Sequence, residues 1–517
     1  MHPNTDRYIH HPAYLRLLSA LALLSVLSLS AAPAIAAFGF NDVAKRAHAL
    51  AKQPYKKPDA KPAALLQSIG PKQYRDIRMK ADRVLWRNEK LAFELELLHQ
   101  GDVYTTPVRI HEISDRGVQE FKFSPDLFDY GELNLDARQL ATLAYSGFRI
   151  RSNAASKSME EVLQFQGASY FRAHGKNQPY GAFARGMAID TALNGGERFP
   201  HFSEFWIERP SGNDKDIGIY ALLDSPNLTG AYRFVLRPGT DTVIEVRARL
   251  FVRATPGKLG LAPLTSMFHF GENQARPADD YRPEVHNSDG LSIQGGDGEW
   301  LWRPLVNPKR LLVTSFAQNS PVGFGLLQRD RQFSSYEDLG ARYEQRPSLW
   351  VEPKGKWGEG RIELVQIPTP NESNDNIVAF WNPDASLLPG EAMNIEYRLH
   401  WLRDAASRRP PNAWVTQTRW GHGARNRTDN NLSLILDFEG PALKPFDASA
   451  NLEAAATCDG NGRIVSARPL YNDATGGWRL ELLIQRIDAN KPVEMRALLR
   501  KDNTALTETW SYILPPN

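Results

Sequence analysis

The stretch YRFVLRPGTDTVIEVRARLFVRA, residues 232–254, contains two runs in which apolar and polar residues alternate. Alternation with a period of two is typical of a β-strand that buries one face. Between the runs stands Pro-Gly-Thr-Asp, residues 238–241, a composition typical of a turn. The stretch therefore predicts a β-hairpin.

Similar runs continue along most of the chain from about Tyr74. LAFELELLHQG (91–101) and RLLVTSFAQNSPVGFGLLQ (310–328) also predict strands or hairpins. Helical patterns are few, and the best are FNDVAKRAHALAKQ (40–53), with Asn41 as a plausible N-cap, and DARQLATLAY (136–145). Many short strands with little helix predict an all-β protein built on a large β-sandwich.

A change of composition near residue 402 predicts a domain boundary. Residues 402–414, LRDAASRRPPNAW, are polar and contain two consecutive prolines, as a linker does. We therefore expect a large β-sandwich domain over residues 38–402, a linker over 403–414, and a second domain over 415–517. About 100 residues of short strands is the size of an immunoglobulin-like sandwich.

The N-terminus has the features of a secretory signal peptide over residues 1–36. Arg7 and Arg16 precede the apolar run LLSALALLSVLSLS (17–30), and AAPAIAA (31–37) offers small residues for cleavage after Ala36. The apolar run is too short to span a bilayer, although a retained signal anchor is the alternative. Without an Arg-Arg pair, general export is favoured over the twin-arginine route.

Composition excludes several classes of function. The 517 residues are 42% hydrophobic and 23% charged, as in globular proteins. The net charge is +3 and no long basic block occurs, so nucleic acid is not an expected partner. The single cysteine, Cys458, excludes an internal disulfide and CxxC metal sites. We expect no catalytic metal and no cofactor, because metal-binding histidine spacings and nucleotide-binding fingerprints do not occur.

Several loop regions are too polar, too aromatic or too glycine-rich to be simple connections, and they include 184–191, which carries Arg185, and 199–210. Residues 279–305 and 332–360 combine acids, arginines and aromatic rings, and residues 370–381, PNESNDNIVAFW, place six consecutive polar residues before an apolar run. Flat rings beside acids favour a sugar-binding groove. Against this stand the ordinary alternatives, because most tryptophans are core residues and most Arg–Glu pairs are structural. From composition alone, the sequence predicts an exported β-rich protein that binds or modifies carbohydrate.

Long strings of the sequence resemble the OpgG/OpgD (MdoG/MdoD) family of periplasmic glucan biosynthesis proteins. The matching strings span nearly the whole chain after residue 37, and they include GASYFRA (167–173), ARGMAIDTAL (184–193), FPHFSEFWIERP (199–210), KLGLAPLTSMFHFGEN (258–273), YRPEVHNSDGLSI (281–293), GFGLLQRDRQFSSYEDL (323–339), RPSLWVEPKGKWGEG (346–360) and NDNIVAFW (374–381). The absence of a twin-arginine signal favours a G-type member.

This resemblance implies a fold, a compartment and a substrate. The large domain should be similar to galactose-mutarotase-like sandwiches, and the small one should be immunoglobulin-like. The protein should work in the periplasm on osmoregulated glucans with a β-1,2-linked backbone. Members of the family are assigned an anomer-inverting β-1,2-glucanase activity, and related members act as transglycosylases.

The resemblance also implies a general acid, Asp375, the aspartate of NDN. A carboxylic acid that protonates a leaving sugar oxygen needs a raised pKa, and a nearby Glu372 would raise it. Asn374 and Asn376 can orient the carboxyl or bind sugar hydroxyls. The other expected substrate-binding residues are Arg282, His286, Trp300, Trp302, Tyr336, Arg346 and Trp357.

The expected position of the base is substituted. The family places an aspartate after the histidine of this segment, and this chain has HNSDG, so the position is Asn287. An amide cannot accept a proton from water, which leaves Asp289 as a possible base if the segment is extended. Three hypotheses follow: a hydrolase that uses Asp289, a transglycosylase in which a glucan hydroxyl replaces water, or a non-catalytic glucan-binding factor that works with a membrane glucan synthase.

Overall fold

A computed structural model describes residues 38–58, 70–133, 140, 142–154, 158–421 and 431–516. The predicted signal peptide (1–36) and half of the helix predicted over 136–145 lie outside these ranges, and Tyr145, the last residue of that prediction, begins a strand instead. In the described parts of the chain, no helix is long and apolar enough to cross a membrane. Strand accounts for 48% of the chain and helix for 8%, which confirms the all-β prediction.

The helices are α1 (Phe40–Ala51) and α2 (Pro71–Asp76), with 3₁₀ turns at Ala81–Arg83, Pro125–Leu127, Phe333–Ser335, Tyr343–Gln345, Ala405–Arg408 and Pro441–Leu443. The first strands are β1 (Arg78–Met79), β2 (Phe93–His99), β3 (Arg109–Ser114), β4 (Gly117–Glu120), β5 (Phe128–Asp129), β6 (Tyr145–Ser152), β7 (Glu160–Gln166), β8 (Tyr170–Ala173), β9 (Phe183–Arg185), β10 (Ala188–Ile189) and β11 (His201–Glu208).

The next are β12 (Ile217–Asp224), β13 (Leu228–Arg237), β14 (Thr242–Val252), β15 (Leu259–Ser266), β16 (Phe268–Phe270), β17 (Val285–His286), β18 (Gly290–Gln294), β19 (Trp300–Pro304), β20 (Leu312–Asn319), β21 (Gly323–Leu327) and β22 (Ser348–Pro353). The last are β23 (Glu359–Gln366), β24 (Ile377–Pro383), β25 (Ala392–Leu402), β26 (Trp414–Gly421), β27 (Asn431–Glu439), β28 (Glu453–Cys458), β29 (Gly462–Asn472), β30 (Gly477–Arg486), β31 (Val493–Lys501), β32 (Thr504–Ala505) and β33 (Thr509–Leu514).

The hairpin predicted from residues 232–254 is confirmed as the antiparallel pair β13–β14. Phe234 lies opposite Val246, and Leu236 lies opposite Ile244. All four side chains are buried, while Val235 and the half-buried Glu245, which lie between them in sequence, point the other way. The alternation in sequence therefore corresponds to one buried and one outer face of the sheet.

Two large sheets pack face to face. The first sheet has the strand order β2-β6-β7-β8-β9-β15-β24-β23-β20, with β10 beside β15. The second contains β25-β14-β13-β12-β11-β3-β4 at one end. Phenylalanines join them: Phe148 packs against Phe205 at 5.0 Å, and Phe165 packs against Phe234 at 5.1 Å between ring centroids. The main core lies between these sheets, so it is a β-sandwich.

The second sheet continues into the C-terminal part of the chain. Its strand order runs β28-β31-β33-β19-β18-β21-β22 before β25, and β33 pairs in parallel with β19. A four-stranded sheet, β26-β27-β30-β29, packs over a second core made mostly of residues after 402 and including Trp302 and Trp350. The division at 403–414 into two domains stays a prediction, and strands on both sides of that segment share one sheet.

Helix α1 packs on the second sheet. Thr229 Oγ1 donates to Ala47 O at 2.7 Å, and Arg253 Nη2 donates to Leu50 O at 2.8 Å. The expectation of Asn41 as N-cap is wrong. The cap is Gly39, whose backbone N–H donates to the Asp42 carboxylate at 3.0 Å.

Candidate active site

The loop that carries Asp375 joins β23 to β24 and is fixed at its base by Asn376. The buried Asn376 side chain accepts a hydrogen bond from Phe268 N at 2.8 Å and donates to Phe268 O and Ile367 O at 2.9 and 3.0 Å. Because its amide is used by the backbone, Asn376 anchors the loop and has no free group for a sugar. Asn374 Nδ2 lies 3.4 Å from Thr369 Oγ1, so it also stabilises the loop.

Asp375 reaches solvent at the tip of this loop, where a group that protonates a bound substrate has to be. The protein packed around its carboxyl raises its pKa above the ordinary aspartate value. Arg346, then Arg172 and Arg185, oppose this rise by stabilising the charged form. Asp375 thus combines exposure to a ligand with a partly desolvated carboxyl.

Glu372 has a different environment from the one expected. It forms an ion pair with Arg282, whose Nη2 lies 2.5 Å from Glu372 Oε2. Arg282 is also paired with Asp280 at 2.8 Å and Asp338 at 2.9 Å. Because burial is what raises the pKa of Asp375, Glu372 does not tune the acid as the sequence suggested. The ion pair between Arg282 and Glu372 instead stabilises the loop that carries Asp375.

Asn287 is buried, and Arg346 connects it to the surroundings of Asp375. Its backbone N–H donates to Met267 O at 2.8 Å, and its Oδ1 accepts a hydrogen bond from Arg346 Nη1. Arg346 is also the charge that acts most strongly on Asp375. The structure therefore brings the expected base position, Arg346 and the expected acid into one neighbourhood.

Asp289 points into a separate, buried network. Its Oδ2 accepts from the backbone N–H groups of Arg329 and of Asp330, the latter at 2.9 Å, and its Oδ1 lies 3.4 Å from His286 Nδ1. His286 Nε2 is 2.8 Å from Glu284 Oε2. Residues 287 and 289 thus have different surroundings, and Asp289 is held by groups that Asn287 does not contact.

This network has unusual titration. Burial raises the pKa of Asp289 and of Asp330, and burial with the nearby Glu284 raises that of Glu272 to about 8. Burial disfavours the charged form of His286, but Asp289 and Glu284 outweigh it and raise the pKa of His286 to about 9. At neutral pH, His286 is therefore a buried cation among acids.

The same network contains the donor atoms that could suit a cation. Ligand atoms of Glu284, His286 and Asp289 lie within 4.8 Å of one another, as do those of Glu272, Glu284 and Asp330. Several are already engaged, since Glu272 accepts from Thr418 N and His286 bridges Glu284 and Asp289. The expectation of no catalytic metal stays a prediction.

The aromatic residues expected to stack on sugar pack mainly against protein. Tyr336 is fully buried, and Trp302 is buried beneath Arg329, whose guanidinium carbon lies 3.5 Å from the ring centroid. Trp300 stacks on Trp350 at 5.9 Å, and the half-buried Trp357 packs against Trp381 at 6.0 Å. The sequence showed an excess of rings but not the direction in which each one points.

The sequence drew attention to Arg185 of β9 only as a polar loop residue, and it did not single out Tyr170 or Arg172 of β8. Tyr170 lies opposite Arg185, and both point to the outer face of the first sheet, away from the buried Phe171 and Ala184. Arg172 points the same way, and its charge, like that of Arg185, favours the ionised form of Asp375. The alternation in GASYFRA was the available signal, but only the strand order places it beside the Asp375 loop.

Fold and site together define an all-β sandwich protein with a solvent-reaching, partly desolvated acid surrounded by arginines. Residues 38–514 match the family model described as "Periplasmic glucan biosynthesis protein, MdoG". The chain belongs to this family of glucan biosynthesis proteins, which confirms the resemblance.

Curated relatives match over nearly the full length. A protein of Ralstonia nicotianae named "Glucans biosynthesis protein G" is 53% identical over 500 residues, covering 95% of this chain and 99% of the relative. Proteins with the same name from Pectobacterium carotovorum and Pectobacterium atrosepticum are 49% and 48% identical over 514 residues, covering 98% of each chain.

Proposed function

We propose that this protein acts on the β-1,2-linked backbone of periplasmic glucans as an anomer-inverting enzyme. Asp375 donates its proton to the glucosyl oxygen that leaves, while water or a glucan hydroxyl attacks the anomeric carbon from the opposite face. The observation that carries the proposal is the carboxyl of Asp375, which reaches solvent and has a raised pKa. A general acid has to combine these two properties.

The nature of the nucleophile depends on Asn287. Its amide accepts a hydrogen bond from Arg346 and cannot take a proton from water. Weak activation of water favours transfer to another sugar hydroxyl, so transglycosylation is the preferred form of the proposal over hydrolysis through Asp289. Residues 1–36 would export the protein to the periplasm, where the family description places its glucan.

The test compares turnover with binding. Pure protein lacking residues 1–36 is incubated with linear β-1,2-glucan, and the products are analysed by mass. Asp375→Asn should abolish turnover while glucan binding, measured by calorimetry, is retained, because the amide keeps the shape of the carboxyl but has no acidic proton. Turnover by the variant at the wild-type rate would refute the role of Asp375.

A second candidate is a non-catalytic glucan-binding factor that guides chains from a membrane glucan synthase. The observation that favours it is the commitment of Asp289 to Arg329, Asp330 and His286, which leaves no free carboxylate beside Asn287 among the contacts of the described residues. If wild type and Asp375→Asn both bind glucan and neither converts it, this candidate replaces the enzyme.

A further inference from the structure

Two arginines beside Asp375 are held in the same unusual way. Arg172 Nε and Nη2 both donate to Gln164 Oε1, at 2.9 and 2.5 Å, and its guanidinium carbon lies 4.0 Å from the centre of the Tyr180 ring. Tyr180 is itself fixed by a 2.5 Å hydrogen bond from its hydroxyl to Glu161. An amide oxygen and a tyrosine face therefore define the position of Arg172.

Arg346 has the same two kinds of support. Its Nη1 donates to the amide oxygen of Asn287, and its guanidinium carbon lies 4.3 Å from the centre of the Tyr343 ring. The backbone of Gly181 packs so closely that a Cβ there would lie 3.1 Å from Arg346 Cβ. Because Gly181 follows Tyr180, this contact brings the supports of both arginines to one wall of the site.

The amide partners leave both charges uncancelled. In the described ranges, neither Arg172 nor Arg346 forms an ion pair with a carboxylate, whereas Arg185 Nη1 lies 2.7 Å from Glu197 Oε1. A neutral amide oxygen orients a guanidinium and leaves its positive charge in place. A carboxylate would also orient it but would cancel the charge. Asn287 N–H donates to Met267 O, and the next residue, Phe268, is bound by Asn376, so the support of Arg346 adjoins the Asp375 loop. The charges of Arg346, Arg172 and Arg185 favour the ionised form of Asp375, and Tyr170 lies near the same carboxyl.

Acidic residues other than Asp375 flank the pair on both sides, and each of them is paired with a different arginine. The charges of Tyr343, Asp338, Asp375 and Glu372 act on the pKa of Arg346. Asp338 and Glu372 are already paired with Arg282. On the other side, the charges of Glu161, Arg172 and Arg149 act on the pKa of Tyr180. Glu161 is itself paired with Arg149 at 3.4 Å. Among the residues that the structure describes, Asp375 is therefore the acid without an ion pair on which both arginines act.

We propose that Arg172 and Arg346 are a matched pair of positioning residues that stabilise the Asp375 carboxylate formed when its proton passes to the leaving sugar oxygen. Asn287 belongs to this device, because it holds Arg346 in place without neutralising it. The inference rests on the proposed function of Asp375 and adds an electrostatic role for Arg172, Arg346 and Asn287.

The bond between the anomeric carbon and the glycosidic oxygen breaks, and its electron pair stays on that oxygen, which takes the proton of Asp375. The incoming water or sugar hydroxyl forms the new bond to the anomeric carbon and loses its proton to bulk water. Negative charge therefore develops on Asp375, where a fixed positive field is most useful in a desolvated site.

The test measures the titration of Asp375 directly. The carboxyl signal is observed by carbon-13 NMR and assigned by its absence in Asp375→Asn. Arg172→Met and Arg346→Met should each raise the pKa of Asp375 by about one unit, since loss of a nearby opposite charge disfavours the charged form. Arg172→Lys should raise it less, because the charge stays but the two-donor grip on Gln164 is lost.

A matched control is available on the other sheet. Arg249 Nε also donates to an amide oxygen, that of Asn394 at 2.8 Å, and does not act on Asp375. Arg249→Met should leave the titration of Asp375 unchanged. Asn287→Asp is a second variant that keeps the packing of Arg346, and it should raise the pKa of Asp375 by placing a carboxylate on that arginine.

The pH dependence of turnover provides the second readout. Its alkaline limb should move to higher pH by the same amount as the NMR titration in each variant. If neither methionine variant nor Asn287→Asp moves the titration of Asp375, the pair has no such role. Because NMR needs no turnover, an inactive wild type whose Asp375 responds as expected would refute only the proposed function.

Discussion

The Asp375 loop and the segment 284–289 are both acidic stretches, yet their carboxylates have opposite surroundings. Asp375 reaches solvent, and no hydrogen bond to its carboxyl occurs within the described ranges. Asp289 accepts two backbone N–H groups and faces a buried His286. This difference shows that an aspartate close to a family motif in sequence is not for that reason a catalytic carboxylate. What satisfies its oxygens decides whether it can exchange a proton with a ligand.

The largest expected effect separates these two aspartates. Asp375→Asn should lower turnover by about 10²–10⁴-fold, the usual contribution of a general acid, without lowering stability. Asp289→Asn should keep turnover per folded molecule and lower the unfolding free energy by about 2 kcal/mol, because it disturbs a buried charge network. Product assays and urea unfolding measure the two. The reverse pattern, with turnover lost in Asp289→Asn alone, would make Asp289 the catalytic carboxylate.

The buried network should also make stability depend on pH. His286 has its pKa raised from 6.5 to about 9, so the folded state keeps a proton that the unfolded state releases. This stabilisation is fully present below pH 6.5 and is lost as the pH rises through about 9. Glu272, with its pKa raised to about 8, acts in the same direction. The shift of His286 alone should lower the unfolding free energy by roughly 3 kcal/mol between pH 6.5 and about 9, and Glu272 adds to this fall up to about pH 8.

Urea unfolding across that pH window measures the effect. His286→Gln is the control, because it removes the titrating imidazole and should leave only the weaker dependence that Glu272 contributes. An unfolding free energy that stays constant, or increases, between pH 6.5 and about 9 would show that His286 is not a stabilising buried cation.

The smallest expected effect concerns the nucleophile. Asn287→Asp places a carboxylate at the position where the family expects a base, and it should raise the ratio of hydrolysis to transfer by about tenfold. The masses of the glucan products before and after incubation with the protein give this ratio. Asn287→Gln, which keeps an amide, should leave the ratio unchanged, and an equal change in both variants would mean that a base at residue 287 is irrelevant.

Much of the fold was readable from sequence because it depends on local alternation. The hairpin of residues 232–254 and helix α1 follow from periodicity within short windows. The parallel pairing of Leu301–Trp302 with Thr509–Trp510 does not, because nothing local specifies which distant strands meet. That pairing is why the sheet continues across the segment predicted to be a linker.

The site was predictable in part for the same reason. The polar loop around Asp375 stands out in sequence, and the family resemblance identifies its aspartate. Composition could not show that Trp302 and Tyr336 point inward, or that Arg172 points outward, since these directions follow from strand register. The role of Asn376 as a loop anchor depends on Phe268, which is distant in sequence.

The most direct measurement follows the heavy oxygen isotope from enriched water into the products of linear β-1,2-glucan. We expect new glucan products with wild type and none with Asp375→Asn. These products should carry little heavy oxygen at the new chain ends, because a sugar hydroxyl replaces water. Full incorporation would indicate a hydrolase. Absence of any new product, with glucan binding intact, would contradict the central claim that Asp375 is the acid of a glucan-converting site.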